Sequence, residues 1–281
     1  MKILKILCAG SVRKALEDIG ASFNLANPDI SFVFISGGSV ELARDLLSCR
    51  ERGDLFFFAD YNLLAQWFRD AGKVSLVKPL VTNSKVLAFP RNSVYREKLD
   101  GETWFRVLED PGVVLAHTAP DRDPGGYRTL LVLRLAEIFY GESGLFDRIY
   151  NNPSRLVLPP RTTHAMVDSL HDEGKIDFMI RYRSSLIGKR YAFLELPREI
   201  NLGSSEMRTF YSGASVEIAG PKGESLQVRG EPILYGVALL KESAFPEEAR
   251  AFLDYIFSME GSRIFRKYGF GILEKQQIDW L

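Results

Sequence analysis

The chain has 281 residues, 46% hydrophobic and 26% charged, with 36 basic and 36 acidic side chains. That hydrophobic share excludes wholesale disorder, and the length suits about one or two domains with a sizeable core. A formal net charge of zero gives no bulk footprint for nucleic acid or an anionic membrane, and no apolar run approaches the ~20 residues of a bilayer span, so recognition has to come from a local site.

Met1 to Leu7 carries Lys2 and Lys5 and runs straight into a strand pattern, with no export-signal core or cleavage site. A cytoplasmic location is therefore expected unless a signal has been trimmed. Ile3 to Ala9 is an apolar strand ended by Gly10-Ser11, and Val12, Ala15, Leu16, Ile19 and Phe23 follow at helical spacing. Asn27-Pro28-Asp29 breaks the chain before a β-branched and aromatic strand, Ile30 to Ile35. Ser36-Gly37-Gly38-Ser39 ends it, and Val40, Ala43, Leu46 and Leu47 continue as a helix. Leu55 to Ala59 is a third strand, followed by a helix through Trp67 and Phe68. Strands alternating with helices imply a parallel sheet covered on both faces, an α/β fold.

Val86 to Phe89 is another strand, Trp104 to Leu108 a helix, and Val113 to His117 a strand before a Pro/Asp/Gly-rich loop. The long helix that follows has Leu130, Leu133, Ala136, Ile138 and Phe139 on its apolar side. Thr162 to Asp172 is a helix, Ile176 to Ile180 a strand, and Ser204 to Glu231 a polar β-rich excursion. Ile233 to Leu240 is a strong strand, and two helices with Phe252, Ile256 and Phe265 facing inward close the chain.

Two cysteines, Cys8 and Cys49, and three histidines, His117, His164 and His171, are too few for a zinc cluster or a disulfide scaffold. Cys8 reads as a small buried hydrophobe rather than half of a bridge. His171, beside Asp172 and Glu173, reads as a solvated helix face, and Lys189-Arg190 as exposed loop. Neither a Walker loop, nor GxGxxG, nor GxSxG occurs. His117 near Asp121 and Asp123 is an acid/base candidate with no nucleophile beside it.

Three strand-to-helix junctions share small or hydroxyl residues: Ala9-Gly10-Ser11, Gly37-Gly38-Ser39 and Pro124-Gly125-Gly126. A helix start presents unpaired N–H groups and a positive dipole end, so several aimed at one point make an anion cradle. Taken singly, each is read more simply as a helix cap.

The run Asp121-Arg122-Asp123-Pro124-Gly125-Gly126-Tyr127-Arg128-Thr129-Leu130 resembles the molybdate/tungstate-binding proteins of ABC importers, in their archaeal-type branch. Ala9-Gly10-Ser11, Gly37-Gly38-Ser39, Ala59-Asp60-Tyr61, Tyr182-Arg183-Ser184, Pro232 to Gly236 and Phe265 to Phe270 match that family in the same order. The resemblance covers nearly the whole chain and implies a type II periplasmic-binding-protein fold: two α/β lobes, 1–83 plus 238–281 and 84–237, with a central cleft and two hinge crossover strands.

Carried over residue by residue, Ser11 and Ser39 would donate hydroxyl and backbone N–H groups, Asp123 and Gly125 would line the second lobe, His164 would give a backbone N–H, and Tyr182 a phenol. The resemblance implies a tetrahedral oxyanion, molybdate or tungstate, as ligand, with Asp123 able to reach its metal. It implies no catalysis, no resident cofactor or metal, no nucleic acid, a monomer, and an ABC permease as partner outside the cytoplasm. Sulfate or another small anion, or a cytoplasmic sensor of the same fold, are the alternatives, and an enzyme using His117, Asp121 and Asp123 is the third. One position departs: the archaeal-type glutamate before Tyr-Arg-Ser is Arg181 here. Arg181 either meets the oxyanion bidentately, pairs with Asp123 or Asp177, or points to solvent.

Overall fold

The computed structural model describes residues 1–159, 162–188 and 191–273, with His164 described by its backbone alone. The Lys189-Arg190 reading lies outside these residues. The chain divides into two units, Met1–Asn83 with Ile233–Leu281, and Ser84–Pro232.

The first unit opens with β1 (Lys2–Ala9), α1 (Arg13–Asn24), β2 (Ile30–Gly37), α2 (Ser39–Leu47), β3 (Leu55–Phe58), α3 (Tyr61–Asp70) and β4 (Val74–Thr82). The second holds β5 (Lys85–Pro90), α4 (Trp104–Leu108), β6 (Leu115–Thr118), α5 (Pro124–Tyr140), α6 (Leu145–Tyr150), β7 (Leu156–Leu158), α7 (His164–Asp172), β8 (Phe178–Tyr182), β9 (Tyr191–Glu195), α8 (Arg208–Tyr211), β10 (Ser215–Ala219) and β11 (Ser225–Arg229). The chain returns to the first unit with β12 (Leu234–Leu240), α9 (Pro246–Ile256), α10 (Met259–Lys267) and β13 (Gly271–Ile272).

In the first unit the sheet order is β13-β4-β12-β3-β1-β2. β1 pairs in parallel with β2 and β3, and β12 runs antiparallel between β3 and β4. The apolar runs explain the layering. Every residue of β3 and β12 is buried, as central strands covered on both faces must be. Phe23 of α1 meets Phe252 of α9 at 5.3 Å between centroids, which fixes the two helices on one side. Asp54, also buried, accepts from Lys5 N (2.7 Å), Ser243 Oγ (2.6 Å) and Ala244 N (2.9 Å), tying β1 to the turn after β12.

The second unit has the order β7-β6-β8-β5-β9. β6 is parallel to β7 and β8, while β5 is antiparallel to β8 and β9. α5 is buried on most sides from Pro124 to Ala136. Asp121 accepts from Ala219 N at 2.7 Å and so anchors the β10–β11 hairpin.

Most expected elements recur within a few residues, and the polar excursion is this hairpin. Three expectations change. Val74–Thr82, with Ser75, Lys78 and Pro79 interrupting its apolar pattern, is a full strand, because β12 supplies the pairing that the local sequence does not advertise. Ile138 and Phe139 are exposed rather than core, Phe139 meeting only the rings of Tyr140 and Phe210 among the described aromatic contacts. His171 is buried rather than solvated: Nδ1 bonds Ile176 O at 2.9 Å and the ring packs on Tyr191. Burial draws its pKa down to about 4.

Candidate functional site

Register brings the two serine loops together. Ala9 and Gly37 are partners across the parallel β1–β2 pair, so Ser11 and Ser39 each lie two residues past the same sheet edge. β3 ends beside them, with Cys8 opposite Phe57. This is the carboxyl edge of three parallel strands, where ligands of open α/β sheets sit.

Neither serine is a side-chain cap. α1 starts at Arg13 with Val12 as its N-cap, so Ser11 sits in the turn before the helix. Gly38 is the N-cap of α2 and Ser39 its first residue. The Ser39 hydroxyl, fully buried, accepts from Ala59 N at 3.0 Å, which leaves its own proton for another acceptor. Ser11 Oγ lies 2.7 Å from the buried Tyr235 phenol, and Asn83 Nδ2 donates to that phenol at 3.3 Å. Either oxygen of the Ser11–Tyr235 pair can be the donor. Ser39 therefore accepts from the protein and keeps a donor, while Ser11 shares its hydrogen bond with the Tyr235 phenol.

In the second unit β6 lies between its parallel neighbours β7 and β8; Asp123 caps the helix after β6, His164 begins the helix after β7, and Tyr182 is the last residue of β8. Asp123 is the N-cap of α5: Oδ1 accepts from Gly125 N at 3.1 Å and Oδ2 from Thr118 Oγ1 at 2.8 Å. The Gly125 amide, expected to face a guest, thus donates to the cap. Gly126 lets the helix start sit hard on the strand end, since a Cβ there would lie 2.3 Å from Thr118 O. Thr163 caps α7 by accepting from Met166 N at 3.2 Å, and His164 follows as the first helical residue.

Tyr182 is buried, and its hydroxyl accepts from Arg128 Nη1 at 3.0 Å. Lys85 is its cross-strand partner. The Lys85 ammonium lies 4.4 Å from the Tyr182 ring centroid and donates to Gly125 O at 3.2 Å. Lys85 is 1% exposed and Arg128 4%. Burial draws the Lys85 pKa down to about 7; the Asp123 carboxylate opposes this, while Arg128 and Arg181 add to it. Sequence reading missed this cluster. Its one visible signal was a lysine at the head of an apolar strand, Lys85-Val86-Leu87-Ala88-Phe89.

Arg181 is on the other face of the sheet. Adjacent strand residues alternate, and while Tyr182 turns to α5, Arg181 turns to α7. Its guanidinium is 4.0 Å from Asp168 and 5.3 Å from the Tyr191 ring centroid, and Tyr191 OH donates to Asp168 at 2.8 Å. Two of the expected settings do not hold: its carboxylate neighbour is Asp168 rather than Asp123 or Asp177, the latter capping Val114 N, and at 6% exposed it does not point to solvent.

His117 fails as an acid/base group on geometry. The Arg155 guanidinium donates to Nε2 at 2.7 Å, so Nδ1 carries the proton and donates to Thr118 O at 2.8 Å. Burial lowers its pKa further. Asp121 and Asp123 are bound to the hairpin and the α5 cap. Among the described residues, no group of three His, Cys, Asp or Glu side chains is placed to hold a metal ion, and no helix is long and apolar enough to cross a membrane. Cys8 and Cys49 are unbridged.

Known proteins share this architecture. The chain is 27% identical over 260 residues to a molybdate/tungstate-binding protein WtpA of Pyrococcus abyssi, covering 85% of this chain and 74% of that one. It is 26% identical over 271 residues to an uncharacterized solute-binding protein of Petrotoga mobilis, covering 93% and 81%. Among solved structures, the periplasmic molybdate-binding protein of Azotobacter vinelandii superposes with a TM-score of 0.70 at 16% identity, covering 96% of this chain and all of that one. The sulfate-binding protein SubI of Mycobacterium tuberculosis gives 0.69 at 14% identity, covering 99% and 90%. These likenesses establish the periplasmic-binding-protein fold. The family model for bacterial extracellular solute-binding proteins matches residues 4–271, and with that span the chain belongs to the bacterial extracellular solute-binding protein family.

Proposed function

We propose that this solute-binding protein captures a tetrahedral oxyanion, molybdate or tungstate, outside the cytoplasmic membrane and delivers it to the permease of an ABC importer. The observation that carries the reading is the serine pair: Ser11 and Ser39 lie two steps beyond partnered residues of parallel strands, Ser11 held by the Tyr235 phenol and Ser39 accepting from Ala59 N with its own hydroxyl proton left to donate. Donors fixed in this way cannot follow a guest of the wrong size, so the metal–oxygen bond length sets selectivity. Within the second unit, the resemblance makes Tyr182 a candidate oxyanion contact, its oxygen held by Arg128. Relatives named as molybdate/tungstate-binding support the choice of anion. Arg181 where the archaeal-type pattern has glutamate, and Asp123 committed to its cap, favour tetrahedral over expanded coordination. The chemistry is binding without turnover, and His117 takes no part in it.

Calorimetry and thermal shift on ligand-stripped protein with molybdate, tungstate, sulfate and phosphate test this. Binding of molybdate or tungstate in preference to sulfate is expected. Silence with all four refutes it. Fractionation of native cells separates the importer receptor, found outside the cytoplasmic membrane, from a cytoplasmic sensor.

A further inference from the structure

Two buried cations, Lys85 and Arg128, lie beside Tyr182. Lys85 stands inside the apolar strand β5, under the first turn of α5, and its ammonium touches only a carbonyl and an aromatic face among the contacts above. Placing an ammonium there is unfavourable unless something negative approaches.

We propose that Lys85 is a specificity-determining residue of the oxyanion site, which takes up a proton when a doubly negative guest docks beside Tyr182 and so favours dianions over monoanions of the same shape. The inference rests on the oxyanion reading and deepens it. Lys85 acts through Tyr182 and the first turn of α5, so it is a positioning residue rather than a direct ligand.

The groups that face it are few enough to name. From α5 come the Asp123 carboxylate, which favours the ammonium, and the Arg128 guanidinium, which opposes it. From β8 come the Tyr182 ring and, through the sheet, Arg181. From β6 comes His117, held neutral by Arg155 and by burial. With one carboxylate against two guanidinium groups, the ligand-free ammonium is poorly balanced. A dianion near Tyr182 supplies what is missing, and a monoanion supplies half of it. The lysine is balanced near neutral pH, where a proton can be gained on binding.

Molybdate and perrhenate separate charge from shape, since both are tetrahedral oxyanions of similar size and differ by one unit of charge. Molybdate is titrated calorimetrically in buffers of different ionisation enthalpy, from about pH 6 to pH 9. Wild type should take up a large fraction of a proton per molybdate above about pH 7, and its affinity should fall there by up to about tenfold per pH unit. Perrhenate should bind far more weakly. In Lys85→Met the proton uptake should vanish, the pH profile flatten, and the molybdate-to-perrhenate ratio narrow at least about tenfold. Molybdate binding by wild type without proton uptake overturns the role of Lys85 and leaves the oxyanion reading standing, and that measurement needs no variant. A Lys85→Met protein with unchanged ratio and pH profile overturns it equally. Wild type that binds none of molybdate, tungstate, sulfate and perrhenate removes both readings.

Discussion

Replacing Lys85 by Met should stabilise the ligand-free protein, and by an amount that depends on pH. The ammonium is displaced from its usual value of 10.5 to about 7 by burial. In the unfolded chain Lys85 holds its proton throughout that window; in the folded chain it has mostly lost it. The unfolded state therefore binds more protons between about pH 7 and pH 10, and stability must rise with pH across it. The full difference, about 3.5 pH units at 1.36 kcal/mol each, is about 5 kcal/mol, or about 1.4 kcal/mol per pH unit. Methionine keeps the stem and cannot titrate, so the variant should be the more stable protein near pH 7, with the gap closing toward pH 10. Trp104 is buried in the second unit. Its fluorescence in a Trp67→Phe, Trp280→Phe background follows that unit in urea at a series of pH values. Wild type and Lys85→Met curves that run parallel in pH would refute the argument, because the burial cost of the ammonium would then be absent.

Ser39→Ala removes the acceptor of the Ala59 amide and should cost about 1–3 kcal/mol in urea; molybdate affinity should fall at least about tenfold, and unchanged affinity would take Ser39 out of the donor set. Arg181→Glu sets a carboxylate against Asp168 on the α7 face and should destabilise by about 3–5 kcal/mol. A well-folded Arg181→Glu protein with altered anion preference would place residue 181 in the site after all. Gly126→Ala should unfold the start of α5, since its Cβ would meet Thr118 O at 2.3 Å, and circular dichroism and melting read the loss. Cys49 should react with a maleimide in the native protein while Cys8 stays silent, because Cys8 is buried and its thiol is pushed up to about 12; mass spectrometry of the labelled peptides decides.

The parallel strands β1, β2 and β3 were legible because each apolar run is short and ends in Gly or Asp. Ser11 and Ser39 were legible as a pair for the same reason: both follow such endings. β4 was hidden, since Pro79 and Lys78 break its pattern and its stability comes from β12, more than 150 residues away in sequence. The setting of Arg181 stayed open between oxyanion, carboxylate and solvent because side-chain direction in a strand depends on register, and the neighbour it meets, Asp168, comes from a different element. His171 looked solvated beside Asp172 and Glu173, but the carbonyl of Ile176 and the ring of Tyr191 close over it from later in the chain. The cations beside Tyr182 escaped notice because a strand-initial lysine ordinarily snorkels outward, and only the first turn of α5 prevents it.

The last feature of note is the place of β12 in its sheet. It lies between β3 and β4, yet it is made only after the whole of Ser84–Pro232. Once residue 232 has left the ribosome, the contiguous second unit can close on itself, while β3 and β4 still lack the strand that joins them until β12 follows. Completion of the first unit thus waits until the residues from Ile233 onward have been made, and such long-range pairing makes folding slow. A nascent chain truncated before Ile233 would carry bare strand edges and should be the aggregation-prone product of this gene.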